Sequence, residues 1–257
     1  MADSYETFKK QIKLLTGIDL DSYKESQMKR RLDSLIERNG LNGYQDYIFL
    51  LRSDKAKIDE FISFMTINVS EFLRNTEQWD VLEKKIIPGL LRPDGIKVWS
   101  AACATGDEPY SVAMLLSKFM PLSKVRVLAT DIDRQILRKA REGVYGIKSM
   151  KGVPREFREK YFEETAPGIY AISDEIKRCV IFKEHDLLKD QYPIGYDLIL
   201  CRNVLIYFTN EAKKRIYSNF SRSLNMGGVL FLGNTEQILY PADYNFTLIS
   251  SFFYKKQ

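Results

Sequence analysis

From residue 4 to about 75 the apolar positions recur at helical spacing. The stretch "SYETFKKQIKLLTG" (4–17) opens on a serine suited to an N-cap and closes on a glycine, and "SYKESQMKRRLDSLIERNG" (22–40) closes on Asn39-Gly40. Met28, Leu32, Leu35 and Ile36 share one side of the second helix, which predicts a buried face. Two further helices are expected at 43–52 and 54–67, and another over 76–95 that ends in the turn signal Pro93-Asp94-Gly95. Beyond that turn the period changes. Strands are expected near 96–100, 125–130, 179–183, 196–201, 228–233 and 247–254, with helices near 107–119, 133–141 and 210–224. Such alternation predicts an α/β fold with a doubly wound, mostly parallel sheet. Residues 143–176 are too long for a crossover loop and hold a helical piece, "PREFREKYFEE", and a short strand, "GIYAI", so a small β insertion is expected there. No long helix separates "GGVLFLGNTE" from "TLISSFFYKK", which predicts one antiparallel strand at the end of the sheet. The plan is an all-helical N-terminal domain (1–75), a linker helix (76–95) and a sheet domain (96–257).

Composition narrows the chemistry. The chain has three cysteines (Cys103, Cys179, Cys201) with no C-x-x-C pair and one histidine, His185, so no metal site is expected. Triad mechanisms would require His185 as the base, yet no G-x-S-x-G nucleophile motif occurs, and a histidine at a strand edge is the favoured reading. The start "MADSYETFKK" lacks the apolar core of a signal peptide, and no apolar run reaches the ~20 residues that span a bilayer. A cytoplasmic location without membrane insertion is therefore expected. The formal charge of +5 mixes 39 basic with 34 acidic residues, which is no global signature of nucleic-acid binding.

The first strand runs into "AACATGDE", with one glycine where a diphosphate-binding turn has several. Small side chains and two acids, Asp107 and Glu108, suit an ammonium group better than a phosphate. The next strand ends "ATDID", placing Asp131 about 25 residues beyond Gly106, near the roughly 20-residue spacing at which an acid binds ribose hydroxyls. Asp133 is free to cap the following helix. Asp186 and Leu187 after the third strand, and Asn203 after the fourth, fall beside the same crevice. A nucleoside, an ammonium and no diphosphate together describe S-adenosylmethionine.

The segments "TINVSEFLRNTEQW" (66–79), "VWSAACATGDEPYSVAM" (98–114), "ATDID" (129–133) and "CRNVLIYF" (201–208) resemble the CheR-type chemotaxis receptor methyltransferases, in order and over nearly the whole chain. The resemblance implies a Rossmann-like class I methyltransferase sheet and transfer of a methyl group from S-adenosylmethionine to receptor glutamates, with S-adenosylhomocysteine as product. It further implies that Asn68, Ser70 and Arg74 close over the methionine end of the cofactor. Ala101, Glu108, Asp131, Ile132, Asp186, Leu187, Asn203 and Val204 would line the rest, and Arg74 with Tyr207 would stand at the methyl-transfer site. A glutamate nucleophile is already ionised at neutral pH, so a chain with one histidine lacks nothing for this reaction.

Lys24, Arg31 and Arg38 fall seven apart on the second helix, flanked by Lys29 and Arg30. This stripe is either a solvated face, softened by Glu25, Asp33 and Glu37, or a docking surface for an acidic helix. The resemblance supplies such a partner, the cytoplasmic methylation helices of chemoreceptors, to be met by a monomer through Lys24, Arg30, Arg31 and Arg38. Some family members bind a receptor tail peptide through the insertion with a glycine-rich turn; "ETAPGIY" offers only Gly168, which favours direct docking through the helical domain. The remaining alternatives are a nucleic-acid methyltransferase, disfavoured because "CRNVLIYF" lacks the proline pair of such enzymes, and a non-catalytic cofactor-binding adaptor.

Overall fold

A computed structural model describes residues 2–257, and its contacts divide the chain into two compact units. The first, Met1–Ile67 with Tyr207–Arg215, is helical. Helices α1 (Ala2–Thr16), α2 (Glu25–Arg38), α3 (Tyr44–Ser53) and α4 (Lys55–Thr66) bury Phe8, Ile12, Leu32, Leu35, Tyr47, Leu51 and Phe61. The predicted face of α2 is the buried one, Met28, Leu32, Leu35 and Ile36. α1 begins at Ala2, before the serine that the sequence suggests as its cap. Asp54 caps α4, its side chain accepting the Ala56 N–H at 2.8 Å. Tyr207–Arg215 joins this unit through a short bridge: the Lys24 N–H donates to the Tyr207 carbonyl (2.8 Å) and the Thr209 N–H to the Ser22 carbonyl (2.9 Å).

The second unit, Asn68–Ile206 with Ile216–Gln257, carries the sheets. Its first helical stretch is continuous from residue 76 to residue 90, as the sequence predicts a helix there, but contains one π turn: α5 (Thr76–Val81), the π turn (Leu82–Ile86) and α6 (Ile87–Leu90). Pro88 has no N–H to continue the α ladder, and the preceding Ile87 N–H reaches back five residues to Leu82. Trp79, Leu82, Ile86, Ile87 and Leu90 are buried in the same core as the strands, so this stretch is part of the sheet unit and not a free-standing linker.

The chain then alternates: β1 (Lys97–Ala101), α7 (Asp107–Leu116), β2 (Arg126–Asp131) and α8 (Arg134–Glu142). The insertion follows, with β3 (Val144–Gly146), α9 (Arg155–Tyr161), β4 (Phe162–Ala166) and β5 (Ile169–Ile172). Next come α10 (Asp174–Lys177), β6 (Val180–Glu184), β7 (Tyr196–Cys201), α11 (Asn210–Ser223), β8 (Leu224–Leu232), β9 (Phe246–Ser250) and β10 (Phe253–Lys256).

Seven strands form one sheet in the order β6-β2-β1-β7-β8-β10-β9, and β3-β5-β4 form a small antiparallel sheet. The pairs from β6 to β8 are parallel, and β10 is antiparallel to both of its neighbours. Where one strand was read at 247–254 there is a hairpin, closed by Phe252 at φ +69° with a register shift at Phe253/Tyr254. A left-handed phenylalanine is not a sequence signal, and the apolar run conceals the turn. In the insertion, "PREFREKYFEE" stops being helical at Tyr161, and Phe162 already belongs to β4.

Strand order reverses between β1 and β7, so the crevice beyond their carboxyl ends is where this architecture binds ligands. β1 is buried from Val98 to Ala101. No helix among the described residues is long and apolar enough to cross a membrane.

Candidate functional site

The loop leaving β1 holds three residues in the left-handed region, Ala102 (φ +64°), Ala104 (φ +47°) and Gly106 (φ +87°). For the two alanines this costs about 1–2 kcal/mol each, so the turn needs external support. The Cys103 N–H donates to the Thr130 carbonyl (2.9 Å), and the Ala104 N–H donates to Asp131 Oδ2 (2.9 Å). Asp131 Oδ1 accepts the Asp133 N–H at 3.0 Å. Asp133 is the N-cap of α8, as the sequence suggested, accepting from the Gln135 and Ile136 N–H groups, and its other oxygen accepts from Asn68 Nδ2 at 2.7 Å. Asp131 therefore shapes the loop as well as facing the crevice end of β2. Burial pushes its carboxyl up to about 6, against the pull of the backbone N–H groups that it accepts.

The two acids that open α7 divide their tasks. Asp107 is fully buried and accepts hydroxyl hydrogen bonds from Thr105, Ser149 and Ser70, so it is not available to a ligand ammonium as read from the sequence. Glu108 Oε1 accepts from Ser100 Oγ (2.8 Å), and its Oε2 lies 3.4 Å from Arg202. Burial raises the carboxyl pKa, and the Arg202 charge pulls it back down.

Residues 68–75 form a strap with left-handed backbone at Asn68, Leu73 and Asn75. Besides Asn68 on Asp133 and Ser70 on Asp107, the Phe72 N–H donates to the Ser149 carbonyl and the Leu73 N–H to Ser111 Oγ, each at 3.1 Å. The Arg74 carbonyl accepts from Trp79 Nε1 (3.0 Å) and Arg202 Nη2 (2.7 Å). The Arg74 guanidinium, half-buried, makes a long hydrogen bond of 3.5 Å to the Val69 carbonyl.

Arg202 and Glu236 were not singled out from the sequence. Arg202 lies against the Phe231 and Trp79 rings, 4.6 and 5.6 Å from their centroids, and also donates to Gln78 Oε1 at 3.0 Å, tying strap, α5 and α7 together. A cation ending the apolar strand "DLILC" was its available signal. Glu236 is 4% exposed and accepts four backbone N–H groups: Asn203 (2.8 Å), Leu205 (2.7 Å), Ile206 (3.3 Å) and Gly233 (2.8 Å). It thereby fixes the loop after β7, including Asn203 at φ +61°, and nothing in "GNTEQ" reveals that role. Gly233 is required by this packing, since a Cβ there would lie 2.6 Å from Glu236 Oε2 and 2.8 Å from the Asn203 nitrogen.

The other expected residues occupy the same strand ends. Ala101 is buried in register with Thr130; Ile132 and Val204 are half-buried. The His185 N–H donates to the Asp131 carbonyl (3.0 Å), which brings the loop after β6 beside that after β2. Asp186 Oδ1 accepts the Leu188 N–H at 2.8 Å, and Leu187 is buried. The His185 ring packs edge-on against Trp99 and Tyr192, and burial lowers its pKa, as suits a histidine at a strand edge.

The profile described as CheR methyltransferase, SAM binding domain, matches residues 68–253, and that of the CheR methyltransferase all-alpha domain matches 3–66. The chain belongs to the CheR methyltransferase family. It is 44% identical over 254 residues to proteins named chemotaxis protein methyltransferase in Listeria innocua and Listeria monocytogenes, covering 98% of this chain and 97% of each relative. A protein of the same name in Borreliella burgdorferi is 32% identical over 236 residues, 86% of this chain and 83% of that one. CheR enzymes are S-adenosylmethionine-dependent and methylate chemoreceptor glutamates.

In the helical unit, the basic residues of α2 do not form one exposed stripe. Lys24, Arg30 and Arg38 are exposed, whereas Arg31 is half-buried, donates to the Phe64 carbonyl and lies 4.7 Å over the Phe64 ring. A guanidinium satisfying a carbonyl in the last turn of α4 is a helix C-terminal contact, and this takes Arg31 out of the stripe. Tyr207 belongs to this unit and Arg74 to the other.

Glu236→Gln should destabilise the protein by about 2–4 kcal/mol in denaturant unfolding, because an amide nitrogen would face backbone N–H groups that have no other acceptor.

Proposed function

We propose that methyl transfer to receptor glutamates takes place at the crevice beyond β1 and β7, with the strap and the four strand-end loops holding the cofactor. The observation that carries this reading is the set of carboxylates along the crevice side of the sheet, where a diphosphate would be repelled: Glu108 in the first turn of α7, Asp131 at the end of β2 and Asp186 just beyond β6. The donor set fits S-adenosylmethionine. Asp131 accepts backbone N–H groups on both oxygens and keeps lone pairs for ribose hydroxyls. Glu108 and the strap residues Asn68, Ser70 and Arg74 would hold the methionine end. Ile132, Asp186, Leu187, Asn203 and Val204 would enclose the adenosine, with Ala101 small enough to let it approach. Bound S-adenosylmethionine supplies a methyl group on a sulfonium and leaves as S-adenosylhomocysteine.

Arg74 holds the incoming glutamate carboxylate, and Tyr207 is the second residue that the family resemblance assigns to methyl transfer. The guanidinium fork neutralises and orients the carboxylate. No side chain has to remove a proton, because the nucleophile is ionised near neutral pH. Catalysis is then mostly alignment, a contribution of roughly 7–11 kcal/mol when the reacting atoms are well placed. Lys24, Arg30 and Arg38 attract the acidic receptor helix, with Arg31 serving the α2–α4 contact.

The test is incubation with methyl-labelled S-adenosylmethionine and a receptor cytoplasmic domain, followed by mild alkali. Alkali-labile label released as methanol is expected, reduced about 10²-fold in Arg74→Ala and less in Tyr207→Phe. Alkali-stable label would move the acceptor to an amine or a base, and cofactor binding without any label would identify an adaptor.

Because the Asp131 carboxyl is raised to about 6, the free protein takes up a proton there as pH falls through 6. A ribose that prefers the carboxylate should therefore bind more weakly from pH 7 to pH 5. In Asp131→Asn, calorimetry should show lower affinity with that part of the pH dependence gone.

Charge reversal of Lys24, Arg30 and Arg38 together should raise the receptor KM by about tenfold or more at low salt and leave cofactor affinity unchanged. Unaltered methylation at moderate salt would remove this face from the docking surface.

A further inference from the structure

The insertion leaves Val144, Ile147 and Ile169 open to solvent, while other residues of it meet the loop after β1, the start of α7 and the strap. The Tyr145 hydroxyl donates to the Thr105 carbonyl of the loop after β1 at 2.8 Å. Ser149 Oγ donates to Asp107, while its carbonyl accepts the Phe72 N–H of the strap at 3.1 Å. The Phe72 ring is fully buried and meets Tyr145 and Phe162 edge-on, at centroid distances of 4.7 and 5.2 Å. Gly152 lies so close to the strap that a Cβ would stand 2.5 Å from the Phe72 carbonyl oxygen.

The strap and the loop after β1 cannot support themselves, since between them they place Asn68, Leu73, Asn75, Ala102 and Ala104 at positive φ. We propose that the insertion is a brace: through Tyr145, Ser149 and Gly152 it sets the strap and the loop at one fixed separation, and so positions Arg74, Ser70 and Asn68 for the cofactor. Its residues touch neither substrate in this role; they act through Phe72 and Asp107. The proposal rests on the cofactor reading above, and it gives the insertion a task independent of any receptor tail.

The experiment compares full-length Gly152→Ala, Ser149→Ala and Tyr145→Phe with the surface control Val144→Thr. Calorimetry measures S-adenosylmethionine affinity, and steady-state methylation separates kcat from the receptor KM. Gly152 is outside the left-handed region, so its alanine acts through the displaced Phe72 carbonyl and not through its own backbone. The expected result is cofactor affinity weakened about tenfold or more and kcat lowered in Gly152→Ala, with smaller shifts of the same sign in the other two brace variants. The receptor KM should stay within about twofold, and the control should match wild type. If Gly152→Ala does not fold, Ser149→Ala and Tyr145→Phe decide. Folded brace variants with wild-type cofactor affinity and kcat, or with only the receptor KM raised, would overturn the proposal. Wild-type cofactor affinity in Asp131→Asn would sink the cofactor reading itself; a weakened Asp131→Asn beside unaffected brace variants would sink the brace alone.

Discussion

The strap and the loops after β1 and β7 have backbone in the left-handed region at residues other than glycine, and a buried carboxylate reaches into each of the three. Asp131 accepts the amide of Ala104, Asp133 the side-chain amide of Asn68, and Glu236 the amides of Asn203, Leu205 and Ile206. Asp107 joins strap, loop and insertion through three hydroxyls. Each of these acids has an alternative in the unfolded chain, hydration by water, so burying it is favourable only when the geometry supplies several donors at once. The turns and the acids therefore depend on each other: a turn relaxes without its carboxylate, and the carboxylate is a buried charge without its turn.

This division explains why the site contains so many acids for a reaction that needs no base. Most of them have backbone as their partner. Arg202 completes the arrangement from the other side, a buried cation that shares its donors between Glu108, the Arg74 carbonyl and Gln78 while two adjacent aromatic rings lie against it. It fixes the main chain of Arg74 and leaves that residue's guanidinium at the half-exposed end of the strap, where its charge is still available.

Strand ends were legible in the sequence because period and turn residues report locally. The buried face of α2, the parallel run of strands, the single antiparallel strand and the cap at Asp133 all follow from neighbours within a few positions. What was illegible is what depends on distant partners. Glu236 reaches 33 positions back to Asn203, Ser149 reaches 42 back to Asp107, and Arg31 turns to a carbonyl 33 positions on. Helical spacing placed Arg31 on a line with Lys24 and Arg38, but spacing cannot tell a solvated guanidinium from one that satisfies a helix end. The hairpin at 250–253 was hidden for a related reason, since its turn lies inside an apolar run.

The dependence of residues 68–75 on residues 145–152 also orders events during synthesis. Translation completes the strap well before Ser149 exists to receive Phe72, and the loop at 203–206 waits in turn for Glu236. Contacts of such long sequence separation form late, because the intervening chain must first be confined. A ribosome-bound chain that has already made its N-terminal helices thus still lacks the contacts that hold the strap and the loop after β7. Under the proposed reading, the crevice would be assembled only once residue 236 has emerged, and a product terminated before it would lack the acceptor that holds Asn203, Leu205 and Ile206.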